Sequence, residues 1–264
     1  MNISLGLIVI NSEHTLEYAI DNIPHNVVKE IIIIDTGSSD KAITIARKYT
    51  NNIFILRFEN DYSKLRNFIT SKSSGDWILF INSDERLSKE LIRKIPALIQ
   101  NTKVDGYWFS RRAYISSKRY LRYGLFYPDW QLRLFRNKKR YHYEGAVHET
   151  LNIPEEKTLY LALDILHYPR IPKYTSFRDF KNLIPYIKIQ ARELQNGHHS
   201  ILSLIWKGKR DFLTLFFGGF FRGKGFLDGW AGFRAHVIFA AYIASGYFLA
   251  AWMKLKKDLG YKYG

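Results

Sequence analysis

The first hundred residues alternate short apolar runs with segments of helical periodicity. The runs lie at residues 3–10, 27–35, 53–58 and 77–81, and each is bounded by polar or glycine-containing links. Runs this short are typical of strands that are buried on both faces. Parallel strands need crossover connections, which the intervening helical segments supply. The alternation therefore predicts an α/β fold with a doubly wound, mostly parallel sheet.

Acidic residues directly follow two of these apolar runs. Asp35 closes the second run, and the fourth run continues into Asn82, Ser83, Asp84 and Glu85. Open α/β sheets bind ligands beyond the carboxyl ends of their strands. Two acids at that edge suit a Mg2+ or Mn2+ ion on the diphosphate of a nucleotide-sugar, because such ions use few carboxylates plus substrate phosphates. The alternative for Asp84 and Glu85 is that they only turn the chain and solvate the next helix.

The overall charge limits the classes of partner. The formal net charge is +16, and most of the excess lies in the later part of the chain. Such a charge predicts an anionic partner, which is nucleic acid, a phosphate-rich substrate or an anionic membrane surface. With 47% hydrophobic residues and no Cys, the chain is neither disordered nor held by disulfides. Residues 1–10 lack the basic start of a signal peptide and are interpreted as a strand.

The pattern changes after residue 105. Residues 106–115, 131–136 and 141–144 have mixed polarity and predict a smaller antiparallel or mixed extension. Residues 175–194 are predicted to be helical, with a kink or break near Pro185.

The last part of the chain is rich in large apolar and basic residues. Residues 235–253 carry no formal charge, which is borderline for a spanning helix of about 20 residues. The flanking Trp, Tyr, Lys and Arg favour insertion in the plane of the interface at least as strongly, and a buried core helix is the third interpretation.

Six short motifs resemble family 2 glycosyltransferases with the GT-A fold. They are IIIIDTGSSD (31–40), KLRNF (64–68), GDWILFINSDE (75–85), WQLRLFRN (130–137), YEGAVHETL (143–151) and GFLDGWAG (225–232). Each motif alone is weak, but their order and spacing resemble the bacterial subgroup that includes lipopolysaccharide-core glucosyltransferases. The resemblance implies a nucleotide-sugar-binding half (1–105), an acceptor-side half with the catalytic base (106–196) and a helical membrane-association segment (197–264).

The resemblance also implies roles for residues in the first half. Asp35 would accept a hydrogen bond from uracil, although it could simply cap a turn. Arg66 would contact the nucleotide, against the alternative of a plain helix-surface arginine. Asp84 occupies the last position of the Asp-x-Asp metal motif and would ligate the ion. The first position of that motif is Asn82, which keeps an oxygen for a ribose hydroxyl or a water-mediated metal contact but removes a charge.

Further roles fall in the second half. Glu149 would be the general base and is preferred over Glu144 and Asp129; an ion-paired surface glutamate is the alternative. His148 and His167 are candidates for binding the diphosphate or the metal. The leaving UDP would be stabilised by the metal and by nearby basic side chains, with Arg133 and Arg136 as candidates.

The resemblance, together with these residues, implies an inverting hexosyltransferase that depends on Mg2+ or Mn2+. Its donor would be a UDP-sugar, with glucose implied by the resemblance alone. The acceptor would be a lipid-linked oligosaccharide of the lipopolysaccharide or lipooligosaccharide core, at the cytoplasmic face of the inner membrane, where the enzyme is peripheral or monotopic. One alternative is a glycosyltransferase of the same fold that acts on a polyprenyl phosphate or a protein. The other is a non-catalytic basic membrane- or nucleic-acid-binding protein, although no nucleic-acid-binding signature is present and nucleic acid is not expected as a partner.

Overall fold

The structure is a computed structural model, and it describes residues 1–145, 149–169 and 173–259. The strands are β1 (Ile3–Val9), β2 (Val28–Asp35), β3 (Ile53–Ile55), β4 (Trp77–Phe80), β5 (Glu85–Leu87), β6 (Gly106–Ala113), β7 (Asp129–Arg136), β8 (Tyr143–Glu144), β9 (Thr150–Leu151) and β10 (Thr158–His167). The α-helices are α1 (Leu16–Asp21), α2 (Ala42–Ala46), α3 (Tyr62–Lys72), α4 (Lys89–Leu98), α5 (Ile184–Asn196), α6 (Ile201–Phe217) and α7 (Gly229–Asp258).

The main sheet has the strand order β3-β2-β1-β4-β7-β6-β10-β5. Strands β3, β2, β1 and β4 are mutually parallel, β7 is antiparallel to its neighbours, and β10 is parallel to β6. The predicted α/β fold with a mostly parallel sheet is therefore confirmed. Of the mixed-polarity segments, β6 and β7 continue the same sheet beyond β4, whereas β8 pairs with β9 in a separate two-stranded sheet.

Helices cover both faces of this sheet. On one face, α1, α2 and α4 bury apolar side chains against β1 and β4, among them Leu16, Ile20, Leu91 and Ile95. On the other face, α3 places Leu65 and Ile69 against Ile32, Ile34, Ile78 and Phe80. Because the central strands are covered on both sides, they are apolar at nearly every position rather than at alternate ones.

The chain divides into two compact units. The first consists of Met1–Ala113 and Asp129–Pro169, and the second of Tyr114–Pro128 and Arg170–Gly264. The boundaries expected at residues 105 and 196 do not coincide with these units. The physical reason is that β6, β7 and β10 hydrogen-bond into the first sheet, whereas the segment between β6 and β7 belongs to the second unit.

The second unit is helical in its described part. A 3-10 segment, Phe177–Leu183, precedes α5, and the break expected near Pro185 falls at their junction because proline is tolerated in the first turn of a helix. A π-helical turn, Gly218–Arg222, follows α6. The segment Gly225–Asp258 is long and apolar enough to cross a membrane, yet 44% of its most apolar stretch is buried within the protein.

Candidate active site at the carboxyl edge of the sheet

The turn after β4 brings Asp84 beside His167. After the turn the chain returns as β5, which pairs antiparallel with β10 in a register that sets Glu85 opposite His167. Asp84 Oδ2 lies 3.3 Å from His167 Nε2, and the two side chains are 24% and 16% exposed. The amide of Tyr168 donates to the Asp84 carbonyl and fixes this arrangement. The two predicted metal ligands, which are distant in sequence, are therefore adjacent and partly accessible.

This pair of side chains fits a divalent ion. His167 Nδ1 is buried without a hydrogen-bond partner among the described residues, so one ring nitrogen is uncommitted and the other faces a carboxylate. Carboxylate oxygen suits both Mg2+ and Mn2+, and imidazole nitrogen suits transition-metal ions better than Mg2+. Within the described part of the chain, no cluster of three or more metal-ligating side chains is present. Two protein ligands would leave the remaining positions to substrate phosphates and water.

A fully buried carboxylate, Glu85, supports the turn that carries Asp84. Glu85 accepts hydrogen bonds from the backbone N–H of Asn82 at 2.9 Å and from Arg133 at 2.7 Å, and Arg111 lies 3.4 Å from the same carboxylate. Arg111 in turn pairs with Asp129 at 2.6 Å. Burial alone would raise the pKa of Glu85, but the positive charges of Arg133 and Arg111 outweigh it and lower the pKa to about 2. Glu85 is therefore a carboxylate at neutral pH and holds the turn in place.

The departure of Asn82 from the metal motif has a local explanation. Its side-chain amide donates to Glu85 at 3.3 Å. An aspartate at this position would set a second carboxylate against the buried one, and like charges at that separation disfavour each other's ionised form.

The two candidate arginines of β7 have different positions. Arg133 is 3% exposed and is committed to Glu85, so its guanidinium is held within the unit. Arg136 pairs with Trp77 at the amino end of β4, lies 4.5 Å from the centroid of that indole ring and donates to the Asn101 carbonyl. The structure therefore does not bring Arg136 to the edge that carries Asp84.

Arg66 and Glu149 form a second pair near the end of β4. Arg66 Nε donates to Glu149 Oε1 at 2.7 Å, with the two side chains 11% and 15% exposed. The guanidinium lies 5.1 Å from the ring centroid of Phe80, the last residue of β4, and 5.3 Å from that of Tyr143. The helix-surface interpretation of Arg66 is therefore wrong. The ion pair suggested as the alternative for Glu149 is present, but it is largely buried.

The other candidate acids have different partners. Asp129 is held by Arg111 and Gln131, whereas Glu144 is 62% exposed beside His142. His148 lies outside the described residues.

Asp35 caps the turn after β2. Its carboxylate accepts hydrogen bonds from the amides of Gly37 and Ser38, each at 3.0 Å, and the residue is 2% exposed. Gly37 has a φ of +112°, a conformation that residues with a side chain rarely adopt. The turn-capping role is thus observed, and the contact with uracil stays a prediction.

The sequence of residues 4–157 matches glycosyl transferase family 2. This match covers more than half of the chain and includes Asp35, Arg66, Asp84 and Glu149. The chain belongs to this family. His167 lies just beyond the matched region, and the structure places it beside Asp84.

Several proteins resemble this family 2 glycosyltransferase over part or most of its length. An uncharacterized glycosyltransferase of Rickettsia bellii (strain RML369-C) is 25% identical over 249 residues, which cover 90% of this chain and 82% of that protein. The lipopolysaccharide core biosynthesis glycosyltransferase LpsC of Rhizobium meliloti (strain 1021) is 29% identical over 58% of this chain and 57% of its own length. Among solved structures, S. aureus TarS 1-349 is 15% identical with a TM-score of 0.46, covering 100% of this chain and 93% of that one.

Proposed function

We propose that this family 2 glycosyltransferase is an inverting hexosyltransferase that transfers glucose from UDP-glucose to a lipid-linked core oligosaccharide of lipopolysaccharide or lipooligosaccharide. The reaction takes place at the cytoplasmic face of the inner membrane. The observation that carries the proposal is that two pairs lie near the end of β4. They are Asp84 with His167 and Arg66 with Glu149. The similarity to LpsC supports the class of acceptor.

The first pair serves the donor. Asp84 and His167 would hold Mg2+ or Mn2+, which neutralises the diphosphate and favours its departure as a leaving group. Glu85 keeps the turn rigid through its bond to the Asn82 amide. Asn82 adds no charge to the ion, and its amide oxygen accepts a hydrogen bond from a ribose hydroxyl. Asp35, at the end of β2, accepts a hydrogen bond from the uracil.

The second pair serves the acceptor. The Glu149 carboxylate takes the proton from the acceptor hydroxyl as that oxygen forms its bond to the anomeric carbon. The bond between the anomeric carbon and the β-phosphate oxygen breaks, and its electron pair leaves with UDP. One displacement of this kind inverts the anomeric configuration. Arg66 orients the Glu149 carboxylate through their ion pair, and its remaining N–H groups suit oxygen atoms of the nucleotide.

The proposal is tested by incubating the purified full chain with UDP-glucose, Mn2+ and three acceptors, namely lipid-linked core oligosaccharide, a polyprenyl phosphate and a peptide. We expect transfer to the core oligosaccharide, loss of transfer with a chelator, and a β-linked product from the α-linked donor by NMR. Transfer only to the polyprenyl phosphate or the peptide would contradict the acceptor. An α-linked product would contradict the single displacement.

A further inference from the structure

The outward face of α6 is apolar where a soluble helix would be polar. Four large side chains on this face are between 52% and 80% exposed, and they are Leu202, Trp206, Leu213 and Phe217. Their spacing of four, seven and four residues sets them on one side of the helix. The opposite side carries Leu204 and Gly208, which pack against α7. The apolar face is thus not the one that α6 uses to bind its own unit.

The apolar surface continues past the end of α6, where the Phe221 ring stacks on that of Phe217 with 5.6 Å between the centroids. Four more large side chains in and after the π-helical turn are between 48% and 62% exposed, and they are Phe221, Phe226, Leu227 and Trp230. We call these eight side chains the α6 stripe. Soluble monomers rarely expose contiguous apolar patches of this kind unless the patch binds a partner or a membrane.

Positive charges lie beside the stripe. Lys209, Arg222 and Lys224 are exposed, and the Arg210 guanidinium lies 5.5 Å from the centroid of the Trp206 ring. Residues 197–264 contain ten Lys and Arg against three Asp. A second copy of this chain would place like charges against each other, whereas anionic lipid headgroups complement the charges and acyl chains accept the apolar side chains.

The packing of α7 disfavours the alternative of a membrane-spanning helix. Helix α5 packs against α7, since Ile187 shares an apolar cluster with Ile238 and Tyr242 and the Gln190 side chain donates to the Ile243 carbonyl. The exposed side of α5 carries Lys188, Arg192 and Glu193. If α7 crossed the bilayer within this unit, those charged side chains would enter the hydrocarbon at a high free-energy cost.

We propose that the α6 stripe lies in the plane of an anionic membrane surface, with its apolar side chains among the acyl chains and its cations at the headgroups. Helix α7 remains inside its unit and does not span the bilayer. This inference rests on the proposed function, since a lipid-linked acceptor requires the enzyme to work at a membrane. It goes further by naming the side chains that enter the lipid.

The test uses the full chain and vesicles of phosphatidylglycerol and phosphatidylethanolamine, with pure phosphatidylcholine vesicles for comparison. The stripe variant is Trp206→Ser with Leu213→Ser. The control variant is Leu159→Ser with Ile184→Ser, which removes two apolar side chains that are 43% and 42% exposed outside the stripe. We expect cosedimentation of the stripe variant with anionic vesicles to weaken at least about tenfold, because two large apolar side chains no longer enter the acyl chains. The control should bind like the unsubstituted chain.

UDP binding, measured by calorimetry on the same samples, separates this inference from the proposed function. If UDP binds and both variants sediment with vesicles like the unsubstituted chain, the stripe does not bind the membrane and this inference is wrong. The proposed transferase function is then unaffected. If the stripe variant binds vesicles weakly and none of the three proteins binds UDP, the membrane role of the stripe is supported. The proposed donor site is then contradicted. Dimers that dissociate only on stripe substitution would show that a second copy covers the stripe and would overturn the inference.

Discussion

Arg66 Nε lies 2.7 Å from Glu149 Oε1, and both side chains are largely buried near the last residue of β4. The proposed base is therefore held in place by the residue that is expected to contact the nucleotide. Removing one partner of a buried ion pair leaves the other charge uncompensated, which costs about 3–5 kcal/mol. Substitutions at either residue must accordingly be assessed for folding as well as for rate.

Glu149→Gln keeps the shape of the side chain and removes the base. We expect the single-turnover rate of sugar transfer to fall by about 10²–10⁴-fold, the usual contribution of a positioned general base, while UDP affinity changes only a few-fold. A thermal melt of the same sample measures how much the loss of the ion pair with Arg66 destabilises the fold. Glu144→Gln is the control, because Glu144 is an exposed acid on the same segment. If the variant transferred sugar at the rate of the unsubstituted enzyme, Glu149 would not be the base.

Asp84→Asn and His167→Gln test the metal site. Each should reduce the Mn2+-dependent part of UDP affinity by at least about tenfold, since two protein ligands leave little redundancy for a metal held partly by substrate phosphates. Calorimetric titration of UDP with and without Mn2+ measures this part. Asp76→Asn is the control, because Asp76 immediately precedes β4, at the opposite end of the strand from Asp84, and accepts a hydrogen bond from the Asn2 amide. Equal losses in the control would show that the effect is not local to the site.

Glu85→Gln should destabilise the first unit by about 3–5 kcal/mol at neutral pH, because Arg133 and Arg111 lose a buried counter-charge. The pKa of Glu85 is about 2 in the folded chain and 4.5 for an unperturbed glutamate. Its contribution to stability is thus complete above pH 4.5 and is lost as the pH falls toward 2.

Chemical denaturation as a function of pH checks this expectation. The free energy of unfolding of the unsubstituted chain should fall between pH 4.5 and 2, and the fall should be smaller in the variant. Parallel curves for the two proteins would contradict the assigned ionisation of Glu85.

The central strands could be predicted from the sequence because burial on both faces requires a continuous run of apolar residues in each strand. The position of Asp84 at the end of β4 follows from the same pattern. The same pattern does not predict strand β10, which carries His167 to Asp84. Strand β10 pairs with β5 and β6, which are distant from it in sequence, and local periodicity does not indicate such a pairing.

Residues of one sequence motif can also lie at different ends of the fold. Arg133 and Arg136 stand three residues apart in WQLRLFRN, but β7 runs antiparallel to β4 and carries Arg136 toward the amino end of that strand. The sequence does not identify Glu85 as a buried counter-charge, because nothing in NSDE distinguishes a fully buried acid from a solvated one. Only the partners, Arg133 and Arg111, identify it.

His236 is enclosed by glycines in the second unit. The residue is fully buried, its Nδ1 lies 2.7 Å from the Gly232 carbonyl oxygen, and the Leu125 amide donates to its Nε2 at 3.3 Å. A Cβ atom on Gly225 would lie 2.3 Å from the imidazole Cε1, closer than any side chain allows. The GFLDGWAG motif therefore has a packing role here, because its first glycine makes room for the ring.

Gly225→Ala should lower the free energy of unfolding by about 1–3 kcal/mol through overpacking, and His236→Ala should lower it by a few kcal/mol through the cavity it leaves. The double variant should lose at least about 1 kcal/mol less than the two single losses together, since the alanine methyl group then enters the space of the missing ring. Chemical denaturation of the four proteins measures this coupling. Gly218→Ala is the control, because a Cβ atom there has no neighbour within 4 Å, and its effect should stay within about 0.5 kcal/mol. Strictly additive losses for Gly225→Ala and His236→Ala would show that the glycine does not serve the imidazole.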